Sequence, residues 1–223
     1  MSRWLAEAAA VFAKDWRSEA RTRTALNTLG LFALTTLVLV GVGLGPLGVS
    51  AAGVQVLPFL LWLVLLFAAT AGLPRLFVHE EETHTATALR LAARPSTVFW
   101  GKLAHGLSLT LALEAIVTPL FVAMVQLPVA RPGLLVATLA AGAFGLAAAS
   151  TVIAAIIAQA QGRATLFAVL SFPLLVPLLL LVVELTRSAV VGEPGGEALR
   201  QLLLYDGTLA VAGSMLFPVI WNP

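Results

Sequence analysis

The sequence contains no cysteine, one tyrosine and three histidines, and only 11% of its 223 residues are charged. The lack of cysteine excludes disulfides, thiolate metal sites and a Cys-x-x-Cys-His attachment motif. Three histidines supply a metal site poorly, and none is predicted. A net charge of +2 without a long basic run argues against nucleic-acid binding.

Catalytic signatures are missing as well. The sequence has no Gly-x-x-x-x-Gly-Lys-Ser/Thr loop for nucleotide phosphates, and it has neither Gly-x-Ser-x-Gly nor His-Glu-x-x-His. His79-Glu80 is followed by further acidic residues, so the second histidine of the last motif is absent. We therefore predict that the chain is not an enzyme, and that any ATP hydrolysis it uses belongs to a partner.

Long apolar runs dominate what is present, since 60% of the residues are hydrophobic. A helix needs about 20 apolar residues to cross a hydrocarbon core of about 30 Å. Six windows meet or approach this length: 26–44, 54–74, 103–126, 134–158, 164–186 and 206–222. Glycine and proline occur in the connections between them. The sequence predicts an all-α membrane protein with six transmembrane helices in a single transmembrane domain, 1–223.

The distribution of lysine and arginine predicts the orientation of these spans. Ten basic residues fall on one side: Arg3, Lys14, Arg17, Arg21, Arg23, Arg75, Arg90, Arg94, Lys102 and Arg163. Only Arg131, Arg187 and Arg200 fall on the other side. Because positive charge is retained on the cytoplasmic side, both termini are predicted to be cytoplasmic. The first 25 residues lack the apolar core of a cleaved signal peptide.

Residues 1–25 predict an amphipathic helix before the first span. Apolar residues recur at three- and four-residue steps: Trp4, Leu5, Ala8, Phe12 and Trp16. Charged residues fill much of the remainder, so we expect a helix that lies in the cytoplasmic membrane interface. The alternative is a cytosolic helix packed on protein.

Segment 78–101, between the second and third spans, carries acidic residues first and basic residues last. This order suits the dipole of a short helix from about 80 to 93, which Pro95 would end. The segment is predicted to be a cytoplasmic helix and turn between two membrane helices.

Ionisable residues inside a span are costly and are candidates for function. Glu114 lies in the middle of the third span, with Thr110 and Thr118 one turn away on either side, so the three share one stripe. This stripe is either a polar contact at a transport or subunit interface, or a buried carboxyl held by hydroxyls. Lys102 and His105, near the cytoplasmic end of this span, are expected to snorkel to the interface.

Prolines and small residues within the spans predict helix kinks and close helix contacts. The prolines within spans are expected to kink their helices: Pro119, Pro173, Pro177 and Pro218. Gly142 and Gly145 lie in an alanine-rich fourth span, whose small residues favour close helix contact.

The exit of span two and the entry of span three follow a recurrent pattern: Leu76-Phe77, Glu80 to Glu82, Leu89-x-Leu91, Pro95-Ser96 and Gly101-Lys102. This pattern resembles the cytoplasmic coupling segment of ABC-2-type exporter permeases, although His84 stands where such permeases usually have glycine. The chain length, the six spans, the N-terminal helix and the prolines in Ser171 to Pro177 resemble the haem exporter protein B (CcmB) family.

The resemblance implies a permease subunit of the cytochrome c maturation system in a bacterial inner membrane. Its coupling residues would be Glu80, Glu81, Glu82, Arg90 and Arg94, in a segment that docks on an ABC ATPase subunit. Further implied partners are a haem-handling membrane subunit, a haem chaperone, membrane lipid and a possible second permease copy, with haem as possible cargo. The alternatives are a permease for another cargo, such as a lipid, drug or glycan, and a non-transporting membrane scaffold whose polar segment merely binds a partner.

Overall fold

The computed structural model describes residues 2–44, 55–73, 86–159 and 163–221. These residues form eight α-helices: α1 (Ser2–Thr22), α2 (Thr24–Leu44), α3 (Leu57–Gly72), α4 (Ala86–Ala92), α5 (Pro95–Val125), α6 (Pro132–Gln159), α7 (Arg163–Val191) and α8 (Gly196–Trp221). No strand occurs in the described ranges. The all-α fold predicted from the sequence is therefore confirmed for these ranges.

Five of these helices, α2, α5, α6, α7 and α8, are long and apolar enough to cross a membrane. The predicted second span corresponds to α3, which is apolar but only 16 residues long, below the roughly 20 residues that a bilayer core requires. The protein is thus a multi-pass membrane protein with five candidate spans in its described part.

Two helices begin well before the apolar windows that predict them. The helix predicted for 103–126 begins at Pro95, after Arg94 in an extended conformation. Proline suits the first helical position, because a backbone N–H there would have no partner within the helix and its absence costs nothing. The helix predicted for 206–222 begins at Gly196, directly after Pro194-Gly195, with Glu197 in its first turn. Apolar windows identify the hydrocarbon portion of a helix, and both helices extend beyond it.

Helix α6 is the centre of the bundle, because it packs against α5, α7 and α8 and most of its span is buried. Its small residues permit this contact. Gly142 lies against the indole ring of Trp62, and the Trp62 Nε1–H donates to Thr186 Oγ1 at 2.8 Å. Gly145 lies against Leu178 of α7 and Asp206 of α8. The close helix contact expected of the fourth span is confirmed.

The loops at one end of the bundle are joined by polar contacts. The Arg131 backbone N–H donates to the Ala189 carbonyl at 2.9 Å. The Arg187 guanidinium binds Glu184 at 2.8 Å and Glu193 at 2.7 Å. The hydrogen bond fixes the α5–α6 connection against the end of α7, and the ion pair with Glu193 joins α7 to the α7–α8 connection. The four prolines predicted within spans all lie inside helices α5, α7 and α8.

Candidate functional site

At the opposite end, α1, α4, the start of α5 and the end of α8 meet in what we call the terminal end. Helix α1 lies along the first third of α5. Its Trp4 Nε1–H donates to Ser96 Oγ at 3.2 Å. Further along, Val11 lies so close to Gly101 that a Cβ on the glycine would be 2.7 Å from the Val11 Cβ. The first turns of α5 are therefore covered by α1.

A buried ion pair joins these two helices. Lys102 Nζ of α5 lies 3.2 Å from Asp15 Oδ2 of α1, and only 2% of the Lys102 side chain is exposed. His105 lies near the rings of Phe12 and Trp16, with centroid distances of 6.4 and 6.2 Å and edge-on geometry. The expected snorkelling of Lys102 and His105 is not observed, because α1 covers this side of α5 and supplies a carboxylate instead of water.

The other two carboxylates of α1 also face the protein. Glu7 Oε2 lies 4.0 Å from Arg94 Nε. Glu19 Oε1 accepts a hydrogen bond from the Leu26 backbone N–H at 2.9 Å. Leu26 is in the first turn of α2, so Glu19 satisfies one of the free donors at that helix start and complements its dipole. Helix α1 is thereby attached to both α2 and α5 along one face.

The described part of the predicted coupling segment is attached to the end of α8. The Arg90 guanidinium of α4 lies 5.1 Å from the ring centroid of Trp221. Trp221 stacks on Phe217 at 5.4 Å, and Phe217 contacts Phe99 of α5 at 5.6 Å. Arg90 and Arg94 therefore contact α8 and α1. The three predicted acidic coupling residues, Glu80, Glu81 and Glu82, lie outside the described residues.

Within the third predicted span, the structure places Thr110, Glu114 and Thr118 on one buried face of α5. The Thr110 hydroxyl donates to the Gly106 carbonyl at 2.9 Å, so its proton is not given to Glu114. Among described residues, neither Glu114 carboxylate oxygen nor the Thr118 hydroxyl has a hydrogen-bond partner. Glu114, with 3% exposure, is thus buried in the bundle rather than directed to lipid.

A second buried carboxyl, Asp206 of α8, was not predicted from the sequence. It has 2% exposure, and its oxygens have no hydrogen-bond partner within the described ranges. The last apolar window, 206–222, begins at this residue, so its position in the sequence indicates a span boundary. The helix-start signals in Pro194-Gly195 and Glu197 place it nearly three turns inside α8.

Asp206 lies where α6, α7 and α8 meet. One carboxylate oxygen lies against Gly145 of α6. The neighbouring Tyr205 hydroxyl donates to the Leu174 carbonyl of α7 at 2.7 Å. Leu174 lies between Pro173 and Pro177, where the proline rings remove backbone donors from the helix. The Tyr205 hydroxyl of α8 therefore contacts α7 within its proline-containing segment.

We expect Asp206→Asn to leave the free energy of unfolding unchanged or to raise it by up to about 1 kcal/mol, because a buried carboxyl without a partner costs more than a buried amide of the same shape. Unfolding in mixed detergent micelles measures this. The control is Asp15→Asn, the same change at a paired carboxylate, which should destabilise. A loss above about 1 kcal/mol at Asp206 would show that the carboxylate has a stabilising partner.

Comparisons with known proteins cover nearly the whole of this architecture. A family model described as CcmB protein matches residues 6–218, from α1 to α8. A protein of Bradyrhizobium diazoefficiens (strain USDA 110), described as heme exporter protein B, is 33% identical over 172 residues. The alignment covers 73% of this chain and 72% of that protein.

Proposed function

The chain belongs to the CcmB protein family, and from this premise we propose that it is the permease subunit of an ABC transporter complex for haem export in cytochrome c maturation. The observation that carries the proposal is the family match over residues 6–218, which extends from within α1 to within α8. The many apolar helices are consistent with a permease. Haem is the cargo of the complex in this proposal, not a cofactor bound by this chain.

A separate ATPase subunit supplies the energy in this proposal, because the sequence has no phosphate-binding loop of its own. A haem-handling membrane subunit and a haem chaperone are the further partners we propose, and a second copy of the permease would complete the membrane unit. Coupled ATP hydrolysis would then drive either haem export or release of the loaded chaperone.

The terminal end is proposed to face the cytoplasm of a bacterial inner membrane. Ten of the thirteen lysines and arginines fall in segments that the sequence predicts on this side, in keeping with the positive-inside rule. In this orientation α1 is the interfacial helix, α3 is the second of six spans, and segment 78–101 faces the ATPase.

The contacts of α4 and α5 support a coupling role for segment 78–101. Helix α5 starts at Pro95 and continues without interruption to Val125, so a displacement of its first turn moves a membrane helix. Arg90 contacts Trp221 and thereby links the segment to α8. Movement imposed by a docked ATPase would reach both helices at once.

We expect Arg90→Glu to reduce ATPase activity of the purified complex by at least about tenfold, the change produced by losing about 1.4 kcal/mol of contact energy. The cation–π contact with Trp221 is worth about 2 kcal/mol where it is desolvated, and Trp221 is 2% exposed, so its loss can account for this change. It remains small against the roughly 5–15 kcal/mol by which a folded protein is stable, so the fold should survive. Arg200→Glu is the matched control, because it makes the same charge change at the opposite end of the bundle. The two variants are compared after purification in mild detergent, with haem staining of c-type cytochromes in cells.

Three outcomes separate this proposal from its alternatives. The haem pathway is supported if an ATPase co-purifies with the wild-type protein and if c-type cytochromes are lost in the Arg90→Glu variant but not in the Arg200→Glu variant. An ATPase without any effect on cytochrome c favours an exporter of another cargo. Absence of a co-purifying ATPase in the wild type leaves a membrane scaffold and overturns the permease proposal.

A further inference from the structure

The two faces of α1 differ in charge. All three of its carboxylates are turned toward the protein, where Glu7 lies near Arg94, Asp15 pairs with Lys102, and Glu19 accepts from the start of α2. The acidic residues of the helix therefore contribute little negative charge to its outer surface. What remains outward is cationic.

Four arginines lie on this outer surface or at its end: Arg3, Arg17, Arg21 and Arg23 are all exposed. None of them forms an ion pair in the part of the chain that the structure describes. Arg17 and Arg21 are one helical turn apart, and Arg3 is five turns from Arg21, so the three follow one flank of the helix.

The adjacent flank is apolar. Leu5 and Trp16 are 54% and 41% exposed, and the step of eleven residues from one to the other corresponds to about three helical turns. Alanines occupy most of the intervening outer positions. An arginine flank beside an exposed tryptophan and leucine is the pattern of a helix that lies between headgroups and acyl chains.

The position of α1 along α5 places it at headgroup depth. Helix α5 has 31 residues, which is about 46 Å at 1.5 Å per residue, whereas the hydrocarbon core is about 30 Å thick. The excess is about ten residues, and α1 contacts α5 from Arg94 to His105. Arg23, with a positive φ of 51°, turns the chain directly into the membrane helix α2.

We propose that the outer face of α1 binds anionic phospholipids of the cytoplasmic leaflet. The guanidinium groups of Arg17, Arg21 and Arg23 bind headgroup phosphates, while Trp16 and Leu5 contact the upper acyl chains. Arginine suits this role because its planar fork donates two hydrogen bonds to one phosphate. The inference rests on the proposed orientation of the bundle but not on the cargo.

Quenching of Trp16 fluorescence by lipids with brominated acyl chains tests this binding. The protein is placed in nanodiscs of phosphatidylcholine with a minor fraction of phosphatidylglycerol, and bromine is carried by one lipid or the other. Subtracting the signal of Trp16→Phe isolates Trp16 from the other tryptophans. We expect brominated phosphatidylglycerol to quench Trp16 more than its share of the lipid predicts.

The double variant Arg17→Gln/Arg21→Gln should lose this enrichment, by about fivefold per arginine at low salt. Quenching by brominated phosphatidylcholine should persist, which shows that the helix still lies in the bilayer. Arg131→Gln/Arg200→Gln is the control, since it removes the same charge at the other end and should keep the enrichment.

Equal quenching of the wild-type protein by both lipids overturns the proposal, as does loss of enrichment in the control. Quenching by neither lipid also overturns it and directs attention to an acidic protein on this face. Cytochrome c maturation is not part of the readout, so failure of the haem proposal leaves this test unaffected.

Discussion

Asp15→Leu is expected to lower the free energy of unfolding by about 3 kcal/mol, because it removes the Asp15 carboxylate from the buried Lys102 ammonium. Lys102 Nζ and Asp15 Oδ2 are 3.2 Å apart, and side-chain exposure is 2% for Lys102 and 11% for Asp15. A charge so far from water depends on its partner far more than a surface charge does. Unfolding in mixed micelles of detergent and denaturing surfactant gives the measurement.

The double variant Asp15→Leu/Lys102→Met should recover most of this loss. Removing both members of a buried pair eliminates the desolvation cost together with the attraction, so an apolar replacement is often nearly neutral. The resulting interaction energy, obtained from a double-mutant cycle, reports the pair itself. A double variant as unstable as Asp15→Leu would contradict the prediction and assign the loss to packing of α1.

Lys14 supplies the matched control, because it binds the same carboxylate from the exposed side. Lys14 Nζ lies 2.9 Å from Asp15 Oδ1, but 48% of its side chain is exposed. A surface pair is worth about 0–1 kcal/mol, so Lys14→Met should change the stability little. Equal losses in Lys14→Met and Lys102→Met would show that burial does not determine the strength of this contact.

The Asp15–Lys102 pair also shows what sequence patterns leave out. Helical periodicity predicts α1 and its two faces, and apolar length predicts the spans. Neither says which helix covers which. Because Lys102 lies near the end of a predicted span, the sequence predicts that it snorkels to the interface. Only the tertiary contact with α1 places it in a buried ion pair with Asp15.

Asp206 was missed for a different physical reason. A polar residue at the edge of an apolar window is interpreted as the membrane boundary. Asp206 is at such an edge, but its helix starts ten residues earlier, at Gly196. Glu114 could be predicted because apolar residues flank it on both sides. The opposite case is α3: its window of apolar residues is long, but the helix in the structure has only 16 residues.

The composition of the fourth span predicts that its small residues allow close helix contact, but it does not predict which residues they contact. Gly145 faces Leu178 and Asp206, and Gly142 faces Trp62. An alanine-rich helix indicates only that neighbours approach closely. The identity of the neighbours follows from how α6 sits among α3, α7 and α8.

Gly145→Leu is expected to destabilise the bundle by about 3 kcal/mol, the upper end of the usual cost of overpacking. A Cβ at this position would lie 2.5 Å from Leu178 Cδ1 and would collide with Asp206 Oδ1. Both neighbours are buried, so neither side chain can rotate into solvent. Leucine adds three further carbons, and these would force α8 away from α6.

A graded series separates the collision from the change in helix propensity. Gly145→Ala gains about 1 kcal/mol of helix propensity but introduces the collision, so it should fall between the wild type and Gly145→Leu. Gly207→Leu is the control, because a Cβ at Gly207 meets no atom within 4 Å. It should be neutral or stabilising. If Gly145→Leu and Gly207→Leu unfold alike, α6 and α8 are not in close contact at Asp206, and the junction of α6, α7 and α8 described above is wrong.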